Sequence, residues 1–232
     1  MKYLNRIFIA AFIIAGFAAP LTADSTGQES TSLKKSVPAS PEEGGPRNWQ
    51  VASRLNLREQ PSTQAKILTQ YAVGTILDNL GCKSVGDVAD DTIWCDVQKL
   101  GGGLRGFVAA EYIKPAVSPN GSAMTGPDDS ARRAGQGDFD ATGQITCIPK
   151  KDRPSLWCDF GVARAGGGYA TVVITRPDGR SRAVFFSLNI PISADTSEAD
   201  PGEFRAERVN DMHVITIGDE RYEIPDAVTL GG

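Results

Sequence analysis

Short runs rich in β-branched and aromatic residues, each closed off by Gly, Pro, Asn or Asp, recur from Leu55 to Ile224, and this rhythm points to sheets as the way the chain buries a core. It is plainest in the C-terminal half. Ala170-Thr171-Val172-Val173-Ile174-Thr175 is followed by Ser181-Arg182-Ala183-Val184-Phe185-Phe186, then by runs at 203 to 209, 213 to 217 and 220 to 224. Pro177-Asp178-Gly179, Asn210-Asp211 and Gly218-Asp219 supply the turns between them. Glu203, Arg205 and Glu207 alternate with Phe204 and Ala206, and Arg221 and Glu223 with Tyr222 and Ile224, so one face is charged and the other apolar. A meander of this kind needs a cover, either the Cys147 to Cys158 segment with Trp157 or a second sheet layer. With 25 Gly and 14 Pro against 3 Met in 232 residues, composition favours turns over long helices, and the expected class is all-β.

The first 23 residues have a different character. Lys2 and Arg6 precede an uncharged, mostly apolar stretch from Ile7 to Ala19, and Pro20, Leu21, Thr22 and Ala23 lead to Asp24. That order is expected of a secretory signal peptide cut after Ala23. A spanning helix is disfavoured, because the apolar stretch covers only about 20 Å of a hydrocarbon core roughly 30 Å thick. The predicted location is periplasmic or secreted, with no membrane insertion once the leader is removed. Residues 24–47 hold few apolar side chains, Leu33, Val37 and Ala39, and read as a flexible linker. A second linker is expected at 116–137, where Pro119, Asn120, Gly121, Gly126 and Pro127 interrupt the chain after Pro115. Two blocks, 48–115 and 138–230, would then move nearly independently. Arg132 and Arg133 in the second linker read as a solvated pair, docking on an acidic face being the alternative.

Four cysteines in an exported chain are expected as disulfides, and Cys82, Cys95, Cys147 and Cys158 allow three pairings. A flexible linker between Cys95 and Cys147 favours local closure, Cys82 with Cys95 and Cys147 with Cys158. Each bridge closes a loop of roughly a dozen residues, worth about 3 kcal/mol by chain entropy. No pair stands in C-x-x-C spacing and the single histidine is distant in sequence, so no metal site is expected.

In the first block, Leu55-Asn56-Leu57-Arg58-Glu59-Gln60-Pro61-Ser62 opens a series continued by Lys66-Ile67-Leu68, Gly74-Thr75-Ile76-Leu77, Ile93-Trp94-Cys95-Asp96-Val97 and Arg105-Gly106-Phe107-Val108-Ala109-Ala110-Glu111-Tyr112-Ile113. This order resembles the bacterial SH3 family, with its L-N-x-R-x-x-P-S opening, G-T turn, W-x-x-V strand and closing G-[WF]-V-x-x-x-Y-[IL]. The resemblance implies a small five-stranded barrel in which Gly106 allows close backbone approach and Phe107 enters the interior. It also implies a binding module that takes cell-wall peptides or other protein segments in a groove, without chemistry. Here the connection Gly86 to Asp91 is longer than the family pattern, and the Cys82–Cys95 bridge would staple that hairpin. Strict alternation puts Ile93, Cys95 and Val97 on one face and exposes Trp94 on the other, unless a bulge or a covered edge takes it back. Arg58, Tyr71, Trp94 and Tyr112 are the candidate ligand-binding residues, with Trp49 and Glu59 beside them; each aromatic has packing as its alternative. The C-terminal block resembles an uncharacterised segment of exported proteobacterial proteins, through Asp138-Phe139-Asp140-Ala141-Thr142-Gly143-Gln144, Arg176-Pro177-Asp178-Gly179-Arg180 and Tyr222-Glu223-Ile224-Pro225-Asp226-Ala227, a likeness that carries no activity.

The chemistry left open is sparse. Gly101-Gly102-Gly103 and Gly166-Gly167-Gly168 precede strand-like runs with no G-K-[ST], so they read as turns rather than phosphate loops. Asp195, Glu198, Asp200 and Glu203 fail the calcium-loop spacing. His213 shares parity with Ile215 and Ile217 and reads as a hydrogen-bonded core residue. A formal net charge of -4, more acidic once the leader with Lys2 and Arg6 is gone, disfavours nucleic acid as a partner. The expected function is an exported, non-enzymatic binding protein for a cell-wall peptide or protein ligand, without catalytic residues or cofactor. The alternatives are an inhibitor or adaptor of a wall-active enzyme acting through the C-terminal block, and a hydrolase using Asp138 and Asp140. Oligomeric state is not encoded in any of these features.

Overall fold

Period-two alternation yields two antiparallel sheets in the computed structural model, which describes residues 36–86, 92–195 and 202–231. The expected leader, most of the first linker and the lengthened 87–91 connection lie outside the described residues. Among those described, the first sheet comprises β1 (Asn48–Val51), β2 (Leu55–Arg58), β3 (Ile67–Tyr71), β4 (Ile76–Val85), β5 (Thr92–Lys99), β6 (Arg105–Ala109) and β7 (Ile113–Pro115). Their order is β3-β2-β6-β5-β4-β1-β7. The sheet wraps a core of Trp49, Val51, Leu57, Leu77, Val97 and Val108, and every such fully buried aliphatic contributes about 1.5–3 kcal/mol. The expected five strands become seven because β1 and β7 pair with each other and β1 with β4.

Gly106 lies where the chain needs it: a Cβ there would stand 2.5 Å from the Arg58 carbonyl oxygen and 3.0 Å from Leu57 Cγ. Phe107, however, does not enter the core. It pairs with Asp96 and Arg58 on the outer side, under the ammonium of Lys83, and Val108 takes the interior position. Alternation after a buried glycine makes the second residue, not the first, point inward.

The second sheet comprises β8 (Ala141–Ile148), β9 (Leu156–Arg164), β10 (Ala170–Thr175), β11 (Ser181–Ser187), β12 (Ile190–Ala194), β13 (Phe204–Val209), β14 (Met212–Ile217) and β15 (Glu220–Pro225), in the order β12-β11-β10-β9-β8-β15-β14-β13. Two meanders, β8 to β12 and β13 to β15, are joined where β15 pairs with β8. The outer strands β12 and β13 come back together, so the sheet curls into most of a barrel around Val162, Val172, Ile174, Phe186, Ile215 and Ile224. Neither expected cover is used. The sheet is its own cover, and the short helix α2 (Asp226–Leu230) closes one end with Val228. Trp157 points out of β9 and is 67% exposed. Both local disulfides are present: Cys82–Cys95 joins directly paired positions on β4 and β5, and Cys147–Cys158 crosses from β8 to β9 inside the barrel.

The segment expected as a flexible linker at 116–137 is instead ordered against both sheets. Ala116 packs with Tyr169 and Leu188, joined by Ile76, Met124 and Ala165, and helix α1 (Ser130–Gly135) lies on β9 and β10, with Ser130 Oγ 3.0 Å from Thr171 Oγ1. The end of the first linker pairs with it: Arg47 N donates to Met124 O at 2.9 Å and Gly126 N to Gly45 O at 3.0 Å. The Arg47 guanidinium stacks 4.6 Å over the Tyr169 ring and donates to the carbonyls of Gly126, Pro127 and Ala165, while the Tyr169 phenol donates to Asn48 Oδ1 at 2.6 Å. Burial raises the Tyr169 pKa, which keeps that phenol a donor. These contacts gather the described residues from 36 on into one compact unit, rather than two blocks joined by an unattached linker. Arg133 is a further correction: it is docked, not solvated, bonded to Asp138 and Asp140 at 2.8 Å each and to the Arg164 carbonyl.

Tyr169→Phe leaves Asn48 Oδ1 buried without its donor and is expected to lower stability by about 1–3 kcal/mol, read as a shift of the urea midpoint; no shift would mean that this bond does not join the sheets. The double variant Cys147→Ala/Cys158→Ala is expected to lose about 3 kcal/mol by the same measurement.

Candidate ligand-binding groove

On the first sheet two connections contribute to one surface beside Trp94 of β5, the Ala52 to Arg54 turn before β2, through Arg54, and the tight turn Ala110–Tyr112 after β6. Between them lies a groove of about 340 Å³, within the size range of small-ligand sites. Its floor is Trp94, which pairs with Ala109 across the β5–β6 ladder. Arg54, Arg58, Thr63, Thr92, Glu111 and Tyr112 line it as well.

Three of the four candidate residues therefore meet in one place. Arg58 leaves β2 toward the groove and donates from Nη1 to the Ala65 carbonyl at 2.7 Å, which holds the long side chain against the β2–β3 turn. Tyr112 is 42% exposed, and the Glu111 carboxylate beside it raises its pKa, so the phenol stays neutral and able to donate. Trp94 is only 4% exposed, so the free indole that strict alternation predicts is absent. The reason is cover on the outer face of a central strand, since the 110–112 turn packs on β5; the bulge in this hairpin falls on β4, between Asn79 and Cys82. Tyr71 does not belong to the groove. It ends β3 with its side chain in the core and is 9% exposed. Trp49 is core as well. Arg54, Thr63 and Thr92 were missed by sequence reasoning: Arg54 and Thr63 lie in turns outside the strands, and Thr92, at the start of β5, carries no distinguishing signal.

The arrangement offers several kinds of contact to a ligand. An aromatic floor and a half-exposed phenol provide apolar and hydrogen-bonding surface, and two guanidiniums against one carboxylate leave a positive excess suited to an acidic group. Elsewhere, the carboxylates considered for hydrolysis are held by cations: Arg133 lowers the pKa of both Asp138 and Asp140, and Arg164 N donates to Asp140 at 2.6 Å. Neither is poised to deliver a proton near neutral pH. Glu203 is paired with Arg205 at 2.6 Å, while Glu198 and Asp200 lie outside the described residues. Among the described residues no group of three or more His, Cys, Asp or Glu is placed to hold a metal ion. The two glycine triplets are turns, between β5 and β6 and between β9 and β10; a Cβ on Gly168, at φ +80°, would meet Asn189 N at 2.4 Å.

His213 is the hydrogen-bonded core residue that its parity predicts. It is 2% exposed at the closed end of the second barrel, with Nε2 2.8 Å from Asp226 Oδ1 and 3.2 Å from Asn189 Oδ1, and with its ring edge-on to Phe186. Arg208 also pairs with Asp226, and Thr229 Oγ1 donates to Asn189. Burial lowers its pKa, outweighing the pull of Asp226 in the other direction, and Arg208 adds to the lowering.

Compared with known proteins, residues 53–114 match the family model of the bacterial SH3 domain. No curated protein matches the chain. Among the described residues no helix is long and apolar enough to cross a membrane.

The chain has one histidine, so its imidazole resonances report a single site. Their titration midpoint is expected below the ordinary 6.5, and Asp226→Asn is expected to lower it further. Because the folded pKa is depressed, the stability tied to the neutral ring is complete above about pH 6.5 and declines as pH falls through the folded value. A midpoint at or above 6.5 would contradict the buried, neutral assignment.

Proposed function

We propose, from the bacterial SH3 domain at residues 53–114, that this is an exported, non-enzymatic binding protein whose groove takes a cell-wall peptide or a protein segment. One observation carries the reading: Arg58, Trp94 and Tyr112, separated in sequence, line a single groove. Bacterial SH3 domains are binding modules, often of cell-wall components, and the two disulfides are compatible with a location outside the cytoplasm, where oxidising conditions let them persist. Within that compartment the periplasm or the medium is proposed.

In this reading Trp94 and Tyr112 supply apolar contact to an extended peptide, and Arg58 with Arg54 receives a carboxylate of the ligand. Charge-assisted bonds of this type are roughly twice as strong as neutral ones, so the arginines set orientation as well as affinity. A second reading, an adaptor or inhibitor of a wall-active enzyme, draws on the exposed Trp157 beside the stapled β8–β9 hairpin. The two readings differ in which variant loses binding.

Retention of the purified protein on isolated peptidoglycan tests the first. Tyr112→Ala and Arg58→Gln are each expected to weaken retention about tenfold, equivalent to about 1.4 kcal/mol, with little change in thermal stability for Tyr112→Ala. Unchanged retention in both variants would remove the groove from the function. Loss on Trp157→Ala alone would favour the adaptor reading.

A further inference from the structure

Strands β8, β9 and β10 lie inside the second sheet, each paired on both sides, so their outer face meets solvent through side chains alone. On β9, Cys158 and Val162 point into the barrel, which puts Trp157, Asp159 and Gly161 outward. Gly161 is covered by an aromatic ring. A Cβ there would stand 2.4 to 2.6 Å from three ring atoms of Phe139, so only glycine lets the ring lie on the backbone. The segment carrying the ring is held in place: Arg133 pairs with Asp138 and Asp140, and Asp140 N donates to Val162 O at 2.8 Å. With Thr142, Gln144, Asp159 and Thr175, Phe139 borders an open depression of about 370 Å³ that shares no residue with the groove of the first sheet.

The depression lies between two aromatics. Trp157, 67% exposed, stands on the same face of β9 four positions before Gly161, a separation of about 13 Å along an extended strand. The side chains between them are polar. Gln144 Nε2 donates to Asp159 Oδ1 at 2.9 Å across the β8–β9 ladder, which sets the amide and the carboxylate side by side and leaves Oδ2 to accept from a ligand. Thr142, opposite Gly161 on β8, and Thr175, opposite Asp159 on β10, add exposed hydroxyls. The lining contains one carboxylate and no cation, so an anion finds no partner here. A peptide strand finds no free backbone edge to extend, because the strands beneath are paired on both sides. A purely apolar ligand would cover the Asp159 carboxylate without giving it a donor.

We infer that this face is a glycan-binding site, which takes a neutral chain of linked sugar rings along β9, one ring on Trp157, another on Phe139, and the hydroxyls between them on Asp159 and Gln144. A pyranose presents an apolar C–H face and a rim of hydroxyls, so it fits an aromatic surface bordered by amide, carboxylate and hydroxyl groups. Hydroxyls donating to a carboxylate make charge-assisted bonds, roughly twice as strong as neutral ones, which makes Asp159 the polar anchor. The separation of the two aromatics calls for a chain, since a single sugar cannot reach both. The inference does not depend on what the groove of the first sheet binds, and it gives Trp157 a sugar rather than an enzyme as its ligand.

The probes are the linear sugar tetramers cellotetraose and N-acetylchitotetraose, glucose itself, and tetralysine, each titrated into the purified protein and followed by amide NMR shifts. At least one tetramer is expected to shift residues 139–146, 157–161 and 173–175, with glucose binding at least tenfold more weakly and tetralysine more weakly than that tetramer. Trp157→Ala, which removes an exposed side chain, is expected to weaken the tetramer at least tenfold and Asp159→Ala at least threefold, both with the fold intact, while Tyr112→Ala leaves its affinity as it is. No binding of either tetramer, glucose binding as tightly as a tetramer, tetralysine binding at least as tightly, or undiminished binding in either variant of β9 would overturn the proposal. So would shifts confined to residues 54–63 and 109–112, or a loss caused by Tyr112→Ala, either of which would assign the sugar to the other groove.

Discussion

The arginine at position 47 joins the two sheets. Its guanidinium donates to three main-chain carbonyls, at 126, 127 and 165, and its flat face lies on the Tyr169 ring. Main-chain carbonyls in an irregular segment need donors once they leave water, and here one planar side chain supplies several at once. The neighbouring Asn48 extends the same junction: it accepts from the Tyr169 phenol and donates to the Leu77 carbonyl and to Asp78. Burial raises the Asp78 pKa while the Asn48 bond opposes that rise, so the junction carries a polar network whose members depend on one another. Without it, the 116–126 segment would have little reason to follow the surface that it does.

The second barrel has two dissimilar ends. One is filled, by α2 with Val228 in the core and by His213, Asn189, Asp226 and Thr229 bonded among themselves. The other holds Arg176, Arg182, Glu220 and Tyr222, a buried ionic set. Buried ion pairs are weak arguments for stability, since apolar residues of similar volume often do as well. The Glu220 charge also raises the Tyr222 pKa beyond the effect of burial, so the phenol remains a donor to it.

Much of the architecture was legible in the residues. The all-β class, both disulfides, the glycine turns and the core position of His213 follow from local rules of period, turn chemistry and spacing, and the SH3-like first block from its resemblance to a known family. The candidate groove was legible in part. Arg58, Trp94 and Tyr112 were identified as residue types, but Tyr71 was not separable from them, since an aromatic at a strand end reads the same whether it faces the core or solvent. Strict alternation put Trp94 on the outer face and left open whether it is covered there, because its cover comes from a turn distant in sequence. Phe107 was misplaced by one position, where the family pattern was followed in preference to the parity of the strand.

The sequence by itself determined that the chain forms short strands closed by turns, which face is apolar in most of them, and that each cysteine closes a nearby loop, because these depend on interactions a few residues apart or directly across a hairpin. Only the tertiary structure decided that the second sheet curls to become its own cover and that a Pro- and Gly-rich stretch is held between the sheets. It also decided that the groove beside Trp94 forms from segments far apart in the chain. Those outcomes rest on sums of long-range contacts, among them one arginine meeting three carbonyls and two arginines meeting one glutamate, and no local pattern records which distant partners a side chain will find.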